Sequence, residues 1–142
     1  GWFWDDWSLI NNGFDSITSG LDIRDQYVED TGDITQVSSL DEDWVTLNQM
    51  IKYYKFGFGR VTDYVNESIR NENMTREKGI DLCEKYDGSC NPIYIKSFCE
   101  YIGISVKDFW LNVRKSVNKD LFEISSSGKI IRKFKVGLGL DY

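Results

Sequence analysis

The sequence of 142 residues contains no histidine, one proline and only three cysteines. The absence of histidine excludes Ser-His and Cys-His catalytic pairs, and it removes the commonest general base and metal ligand. The cysteines, Cys83, Cys90 and Cys99, lack the Cys-x-x-Cys spacing of zinc sites, and a zinc ion would need a carboxylate as its fourth ligand. We therefore expect reduced thiols that pack as small apolar side chains, and no metal site.

Long hydrophobic runs are also absent. No stretch approaches the roughly 20 apolar residues of a transmembrane helix, and no basic segment followed by an apolar one marks a secretory signal. With 41% hydrophobic and 15% aromatic residues, the composition is typical of a globular domain. We therefore expect a single folded unit in the cytoplasm, without membrane contact.

Basic side chains are nearly missing from the first third of the chain. Residues 1–51 carry eleven acidic side chains and one arginine, a net charge of −10, whereas residues 52–142 carry sixteen basic and twelve acidic side chains, a net charge of +4. An acidic region of this size would repel phosphates, which argues against nucleic-acid binding. The polarity fits two regions of the chain that attract each other, or a cationic surface that faces an anionic ligand.

The periodicity of apolar residues predicts a mainly α fold. We expect an irregular acidic segment over residues 1–40, a compact bundle of four to five short helices over residues 41–120, and a small β-hairpin with a tail over residues 121–142. The first segment opens with WFWDDW, whose aromatic side chains we expect to pack on this domain's own core or on a preceding domain. If they were exposed, they would favour a homo-oligomer.

Capping residues mark the expected helix boundaries. We predict N-caps at Asp41 or Asp43, at Thr75 and at Ser105, a helix that starts at Pro92, and helix ends at Gly88 and Gly103.

The stretch KFGFGR places two glycines, Gly57 and Gly59, between bulky aromatic residues where a helix would otherwise continue. Each glycine inside a helix costs about 1 kcal/mol relative to alanine, so another requirement must place them there. Either a tight turn joins two helices, or another backbone or a ligand approaches closely. The stretch is not a GxGxxG motif and follows no strand, so it does not indicate dinucleotide binding.

Four charged residues after the glycines fall on one face of the next predicted helix: Arg60, Asp63, Glu67 and Arg70. One interpretation is a solvated row of ion pairs, and the other is a polar face turned towards a ligand such as a phosphate. Spacing alone does not decide between them. No residue of the chain is predicted to be catalytic.

Several blocks in order resemble the C-terminal region of the N-acetyl sugar amidotransferase family. These are PP-loop (ATP pyrophosphatase) enzymes of lipopolysaccharide and nonulosonic-acid biosynthesis. The resemblance covers about residues 40–136 well and the first forty residues loosely. It rests on Lys55–Arg60, Asp63 to Arg70, Met74–Glu77, Tyr86–Gly88 and Asp108–Trp110.

The resemblance implies a bacterial enzyme that activates the acetamido group of a nucleotide-linked sugar with ATP, so that ammonia from a glutaminase partner can form an acetamidino group. The Ser-Gly-Gly-x-Asp-Ser type of phosphate loop, and the family's N-terminal cysteines, are absent from this sequence. We therefore expect no cofactor in this chain, no activity of the chain alone, and a partner domain that carries the PP-loop. The resemblance also makes six residues candidates for a substrate- or domain-facing surface: Lys55, Gly57, Gly59, Arg60, Asp63 and Arg70.

Two functions of other classes stay open. A small non-enzymatic module could bind a protein through WFWDDW and its aromatic face, and a free-standing domain could bind a UDP-sugar. Saturable binding of a UDP-sugar would favour the latter.

Overall fold

The computed structural model describes residues 8–140, so the prediction for WFWDDW lies outside the described residues. Within that range the chain forms seven helices and two small antiparallel hairpins, which confirms the mainly α fold. The helices are α1 (Leu9–Thr18), α2 (Val28–Thr31), α3 (Val45–Phe56), α4 (Arg60–Arg70), α5 (Arg76–Tyr86), α6 (Pro92–Ile102) and α7 (Val106–Ser116). The strands are β1 (Phe122–Ile124), β2 (Ile130–Arg132), β3 (Phe134–Lys135) and β4 (Gly139–Leu140).

Capping chemistry sets most of these boundaries as predicted. The hydroxyl oxygen of Thr75 accepts a hydrogen bond from the Lys78 amide at 3.3 Å, and that of Ser105 accepts one from the Asp108 amide at 3.0 Å. Pro92 opens α6, and Gly103 ends it with a φ of +73°. A helix end leaves backbone N–H and C=O groups unpaired. Thr75, Ser105 and Gly103 each provide a hydrogen-bond partner for one of these groups, and Pro92 has no N–H that would need one.

The start of α3 differs from the prediction. Neither Asp41 nor Asp43 caps it with its side chain, because Trp44 holds the N-cap position and Glu42 accepts the Trp44 amide at 2.8 Å. The Asp43 carboxylate instead pairs with the buried guanidinium of Arg24 at 2.5 Å. The prediction of a cap at Asp41 or Asp43 was therefore wrong, because a long-range ion pair engages Asp43.

Helices α1 and α2 lie inside the stretch predicted to be irregular. The Ser8 hydroxyl oxygen caps α1 by accepting the Asn11 amide at 3.3 Å. Asparagines and Gly13 interrupt the apolar spacing of α1, and they lower its intrinsic helix propensity. This explains why the periodicity did not reveal the helix.

The core consists of three buried clusters. The first joins α3 to α6 and α7 through Leu47, Met50, Ile95, Cys99, Phe109 and Val113. The second packs Tyr53 against Val117 and Phe122, so that it connects the helices to β1. The third consists of Val61, Val65 and Cys83 between α4 and α5.

The C-terminal part contains one hairpin that was predicted and one that was not. Strands β1 and β2 pair antiparallel, with Phe122 opposite Arg132. Strands β3 and β4 form the second hairpin, in which Gly137 and Gly139 take φ values of +79° and +91°. Within residues 8–140, no helix has the length and apolar character needed to cross a membrane.

Candidate functional site

Residues 57–59, which we call the glycine corner, join α3 to α4. Gly57 ends α3 with a φ of +81°, and a Cβ at this position would lie 2.9 Å from Cδ1 of Leu121. Gly59 has extended backbone, but a Cβ there would lie 2.6 Å from Oδ1 of Asp87. The corner therefore contains both a tight turn and a close approach, and the approaching groups belong to the chain itself.

The carboxylate of Asp87 caps α4 from outside the helix. It accepts hydrogen bonds from the Gly59 amide at 2.9 Å, the Val61 amide at 3.2 Å and the Thr62 hydroxyl at 2.6 Å. Burial raises the pKa of Asp87 above its ordinary value, and these three hydrogen bonds oppose that shift. The anion position at the N-terminus of α4 is thus filled by the protein's own carboxylate.

We expect Asp87→Asn to lower the free energy of unfolding by about 2–3 kcal/mol. The asparagine amide would point N–H groups at one or more of the donors that Asp87 now satisfies, because only one side-chain oxygen remains. Urea denaturation followed by circular dichroism measures the loss.

Asp81→Asn is the matched control for this substitution. Asp81 is exposed on α5, the helix that ends just before Asp87. The same loss of charge at Asp81 should therefore change stability by no more than about 0.5 kcal/mol. Equal effects of the two substitutions would contradict the capping role of Asp87.

The charged residues at the start of α4 find partners outside that helix. Arg60 is buried, and its Nη1 lies 3.7 Å from Oδ2 of Asp33, which is fully buried in the acidic segment. The exposed Asp63 accepts a hydrogen bond from Nζ of Lys52 in α3 at 2.6 Å. The Arg60–Asp33 contact joins the acidic and basic regions of the chain, which is one of the two arrangements that the charge distribution suggested, whereas Lys52 and Asp63 both belong to the basic region.

The six residues predicted to form a substrate- or domain-facing surface do not share one environment. Lys55, Asp63 and Arg70 are exposed, Gly57 is half-buried, and Gly59 and Arg60 are buried. Arg70 follows Arg60 by ten positions, which is about 15 Å along the axis of α4. Arg70 therefore cannot contact the same small group as the glycine corner, and the role of all six residues in ligand or domain contact stays a prediction.

A cavity of about 310 Å³ opens beside the glycine corner, between α4, α5 and the β3–β4 hairpin. Its wall is mainly apolar and includes Val65, Ile69, Ile80 and Val136. Besides Asp87, its polar side chains include Thr62, Asn66, Arg76 and Lys135. The mixture of an apolar wall with a few polar groups is typical of small-molecule sites.

The charges around this cavity favour an anion at its mouth. Arg76 and Lys135 are exposed, and neither has a carboxylate within 4.0 Å among residues 8–140. Nη2 of Arg76 donates to the carbonyl oxygen of Gly137 at 2.7 Å, which ties the hairpin to α5. Asp87 is the carboxylate that lines the cavity, and its oxygens already accept hydrogen bonds from the Gly59 and Val61 amides and the Thr62 hydroxyl.

None of Thr62, Asn66, Arg76 and Lys135 was among the predicted site residues. Thr62 and Asn66 are spaced i, i+4 on α4, which places both on one face and could have indicated a polar stripe. Lys135 comes from a hairpin that the sequence did not reveal. In the part of the chain that the structure describes, no three side chains of the metal-binding types come together, and burial raises the pKa of the cavity thiol, Cys83.

Comparison with known proteins identifies the family. Residues 24–135 match the family model described as the C-terminal domain of WbpG-like LPS biosynthesis proteins. No significant match was found among curated proteins or among solved structures. The matched range covers more than half of the chain and includes the glycine corner, Asp87 and most of the cavity wall. The chain therefore belongs to the family of WbpG-like C-terminal domains of LPS biosynthesis proteins.

Proposed function

We propose that this chain is the C-terminal helical domain of an ATP-dependent N-acetyl sugar amidotransferase, and that its cavity holds part of the sugar-nucleotide substrate. The observation that carries the proposal is the cavity beside the glycine corner, with its apolar wall and two cations at the mouth. An acetamido methyl group fits the apolar wall, and phosphate oxygens fit Arg76 and Lys135. Thr62 and Asn66 offer hydrogen bonds to the sugar.

Activation of the acetamido group is assigned to a different domain in this proposal. The chemistry implied by the family resemblance needs a loop that cradles the ATP phosphates, and this sequence has no such glycine-rich loop. The position where α4 could bind an anion is held by Asp87. This chain would therefore contribute substrate contacts, and it would have no amidotransferase activity alone.

We expect Lys135→Gln, made in the amidotransferase that carries this domain, to raise KM for the sugar nucleotide about 10-fold, which corresponds to about 1.4 kcal/mol. The reason is the loss of a charged contact with the substrate at the cavity mouth. The value of kcat should change little, because the contact stabilises the bound substrate and the transition state equally. Steady-state kinetics with varied sugar nucleotide measures both constants.

Lys133→Gln provides the control, because Lys133 is exposed on the same segment but donates to the carbonyl oxygen of Lys119 and does not line the cavity. An unchanged KM in the Lys135 variant would argue against a substrate contact here. The same would follow if both lysine variants raised KM equally.

A protein-interaction module is the second candidate function. It is favoured by exposed apolar side chains where α6 meets α7, namely Tyr101, Ile102, Ile104 and Val106. Calorimetric titration of the 142-residue chain with UDP-N-acetylglucosamine separates the two candidates. Saturable heat favours the substrate role, and no heat, together with the unchanged KM described above, favours the interaction module.

A further inference from the structure

A second cavity, of about 270 Å³, lies between α3, α7 and the turn of the β1–β2 hairpin. We call it the tryptophan pocket. It shares no lining residue with the cavity beside the glycine corner, so the two are separate features of the fold. Its lining consists of Tyr54, Trp110, Arg114, Gly128, Lys129 and Ile130.

Two aromatic side chains of the pocket are held by buried neighbours. Tyr54 and Trp110 are half-buried, and both pack against the first core cluster. The ring of Trp110 meets that of Phe109 edge-on, with centroids 5.5 Å apart, and the ring of Tyr54 meets that of Phe122 at 5.7 Å. Aromatic rings that are fixed in this way offer an apolar face on which the ring of a ligand can pack.

The hairpin turn orients the guanidinium of Arg114. Its Nε donates a hydrogen bond to the carbonyl oxygen of Gly128 at 2.9 Å. A Cβ at position 128 would lie 3.0 Å from Nη2 of Arg114, so the glycine leaves room for the guanidinium against the turn. Because Trp110 and Arg114 are four residues apart on α7, the cation lies next to the indole ring.

The polar side chains of the pocket have donors that the chain does not use. Within residues 8–140, no protein acceptor binds Nη1 or Nη2 of Arg114, Nζ of Lys129, the indole N–H of Trp110 or the hydroxyl of Tyr54. In the same range, neither cation has a carboxylate within 4.0 Å. Burial raises the pKa of Tyr54, so its hydroxyl keeps its proton. The pocket therefore suits an anion that is rich in acceptors.

We propose that the tryptophan pocket binds a monosaccharide phosphate. The sugar ring packs on the indole of Trp110, and the phosphate oxygens accept hydrogen bonds from Arg114 and Lys129. Ligand sites usually start at about 300 Å³, so the pocket has room for one ring with its phosphate and not for a whole sugar nucleotide. The inference goes beyond the proposed function, because it concerns a different cavity and does not require the chain to serve an amidotransferase.

Titration of the 142-residue chain with glucose 1-phosphate, followed by ¹H–¹⁵N NMR, tests the proposal. We expect saturable shifts of the Trp110 indole signal and of the Gly128 and Lys129 amide signals. Glucose and inorganic phosphate should each bind at least about 10-fold more weakly, because each lacks one of the two contacts. The amide of Gly137 reports on the other cavity, so failure here is distinguishable from failure of the proposed substrate site.

Two substitutions of exposed lysines assign the phosphate contact. Lys129→Gln should raise Kd for glucose 1-phosphate about 5-fold, through loss of a charged contact. Lys115→Gln is the matched control, because Lys115 is exposed on α7 beside Arg114 but does not line the pocket. It should change Kd less than about 2-fold.

Four outcomes would overturn the proposal. Two are an absence of saturable shifts at Trp110 and an equal effect of the Lys129 and Lys115 variants. The third is binding of inorganic phosphate as tight as that of glucose 1-phosphate, which would indicate a simple anion site. The fourth is tighter binding of uridine monophosphate, which would indicate a nucleotide site.

Discussion

Arg60→Met is expected to lower the free energy of unfolding by about 3–5 kcal/mol. Arg60 is buried, and its nearest opposite charge is the carboxylate of Asp33, which has no exposed surface. Methionine replaces the aliphatic part of the arginine side chain but leaves the Asp33 carboxylate buried without a cation. Hydrogen bonds from the Thr35 and Ser38 amides remain, but they compensate only part of its charge. Chemical denaturation measures the loss.

A double variant separates the ion pair from simple packing. Asp33→Asn in the Arg60→Met background removes the uncompensated charge, so we expect Asp33→Asn to cost about 1 kcal/mol or more less there than in the unmodified chain. Arg70→Met, at the exposed end of the same helix, should change stability by no more than about 0.5 kcal/mol. If the double variant were less stable than Arg60→Met by the full cost of Asp33→Asn alone, the pair would not be coupled.

This burial changes how substitutions of Arg60 can be interpreted. The sequence suggested Arg60 as a residue that meets phosphate oxygens, and loss of activity in an Arg60→Ala enzyme would have supported that role. Arg60 is a buried residue that holds the acidic segment in place. Its replacement would therefore also reduce activity by unfolding part of the domain. Lys55, which is exposed at the end of α3, is the better position at which to test a contact with a ligand or a neighbouring domain.

Local signals in the sequence predicted the helical body well. Thr75, Pro92, Gly103 and Ser105 act on backbone groups within a few residues, so their effects can be derived without knowing the fold. The glycine corner was also recognised as a place that needs glycine. The group that approaches Gly59 was not predicted, because Asp87 is 28 residues away in the sequence.

The candidate cavity could not be predicted for the same reason. Its polar groups come from α4, α5 and β3, and only the packing of the third core cluster brings them together. The resemblance to a family indicated the right region of the chain. It did not distinguish the buried Arg60 from the exposed Asp63 and Arg70, and it made all three candidates for the site. Which charges are compensated internally depends on the irregular acidic segment, whose course no periodic pattern reveals.

The second large effect is expected at Gly88, which follows the capping Asp87. Gly88→Ala should lower the free energy of unfolding by about 3 kcal/mol or more, since two costs add. The residue has a φ of +81°, and a Cβ there would lie 2.4 Å from Cδ1 of Tyr53. Tyr53 cannot easily move away, because it is buried against Phe122 with ring centroids 5.3 Å apart.

Gly103→Ala isolates the first of these two costs. Gly103 has a similar φ of +73°, but a Cβ at that position would meet no atom within 4 Å. We therefore expect a loss of about 1 kcal/mol, the cost of the left-handed conformation alone. Denaturation of both variants under one set of conditions gives the contact term as their difference. Equal losses would show that the ring of Tyr53 adapts, whereas a larger loss at Gly88 supports a rigid contact between the end of α5 and the aromatic cluster that connects α3 to β1.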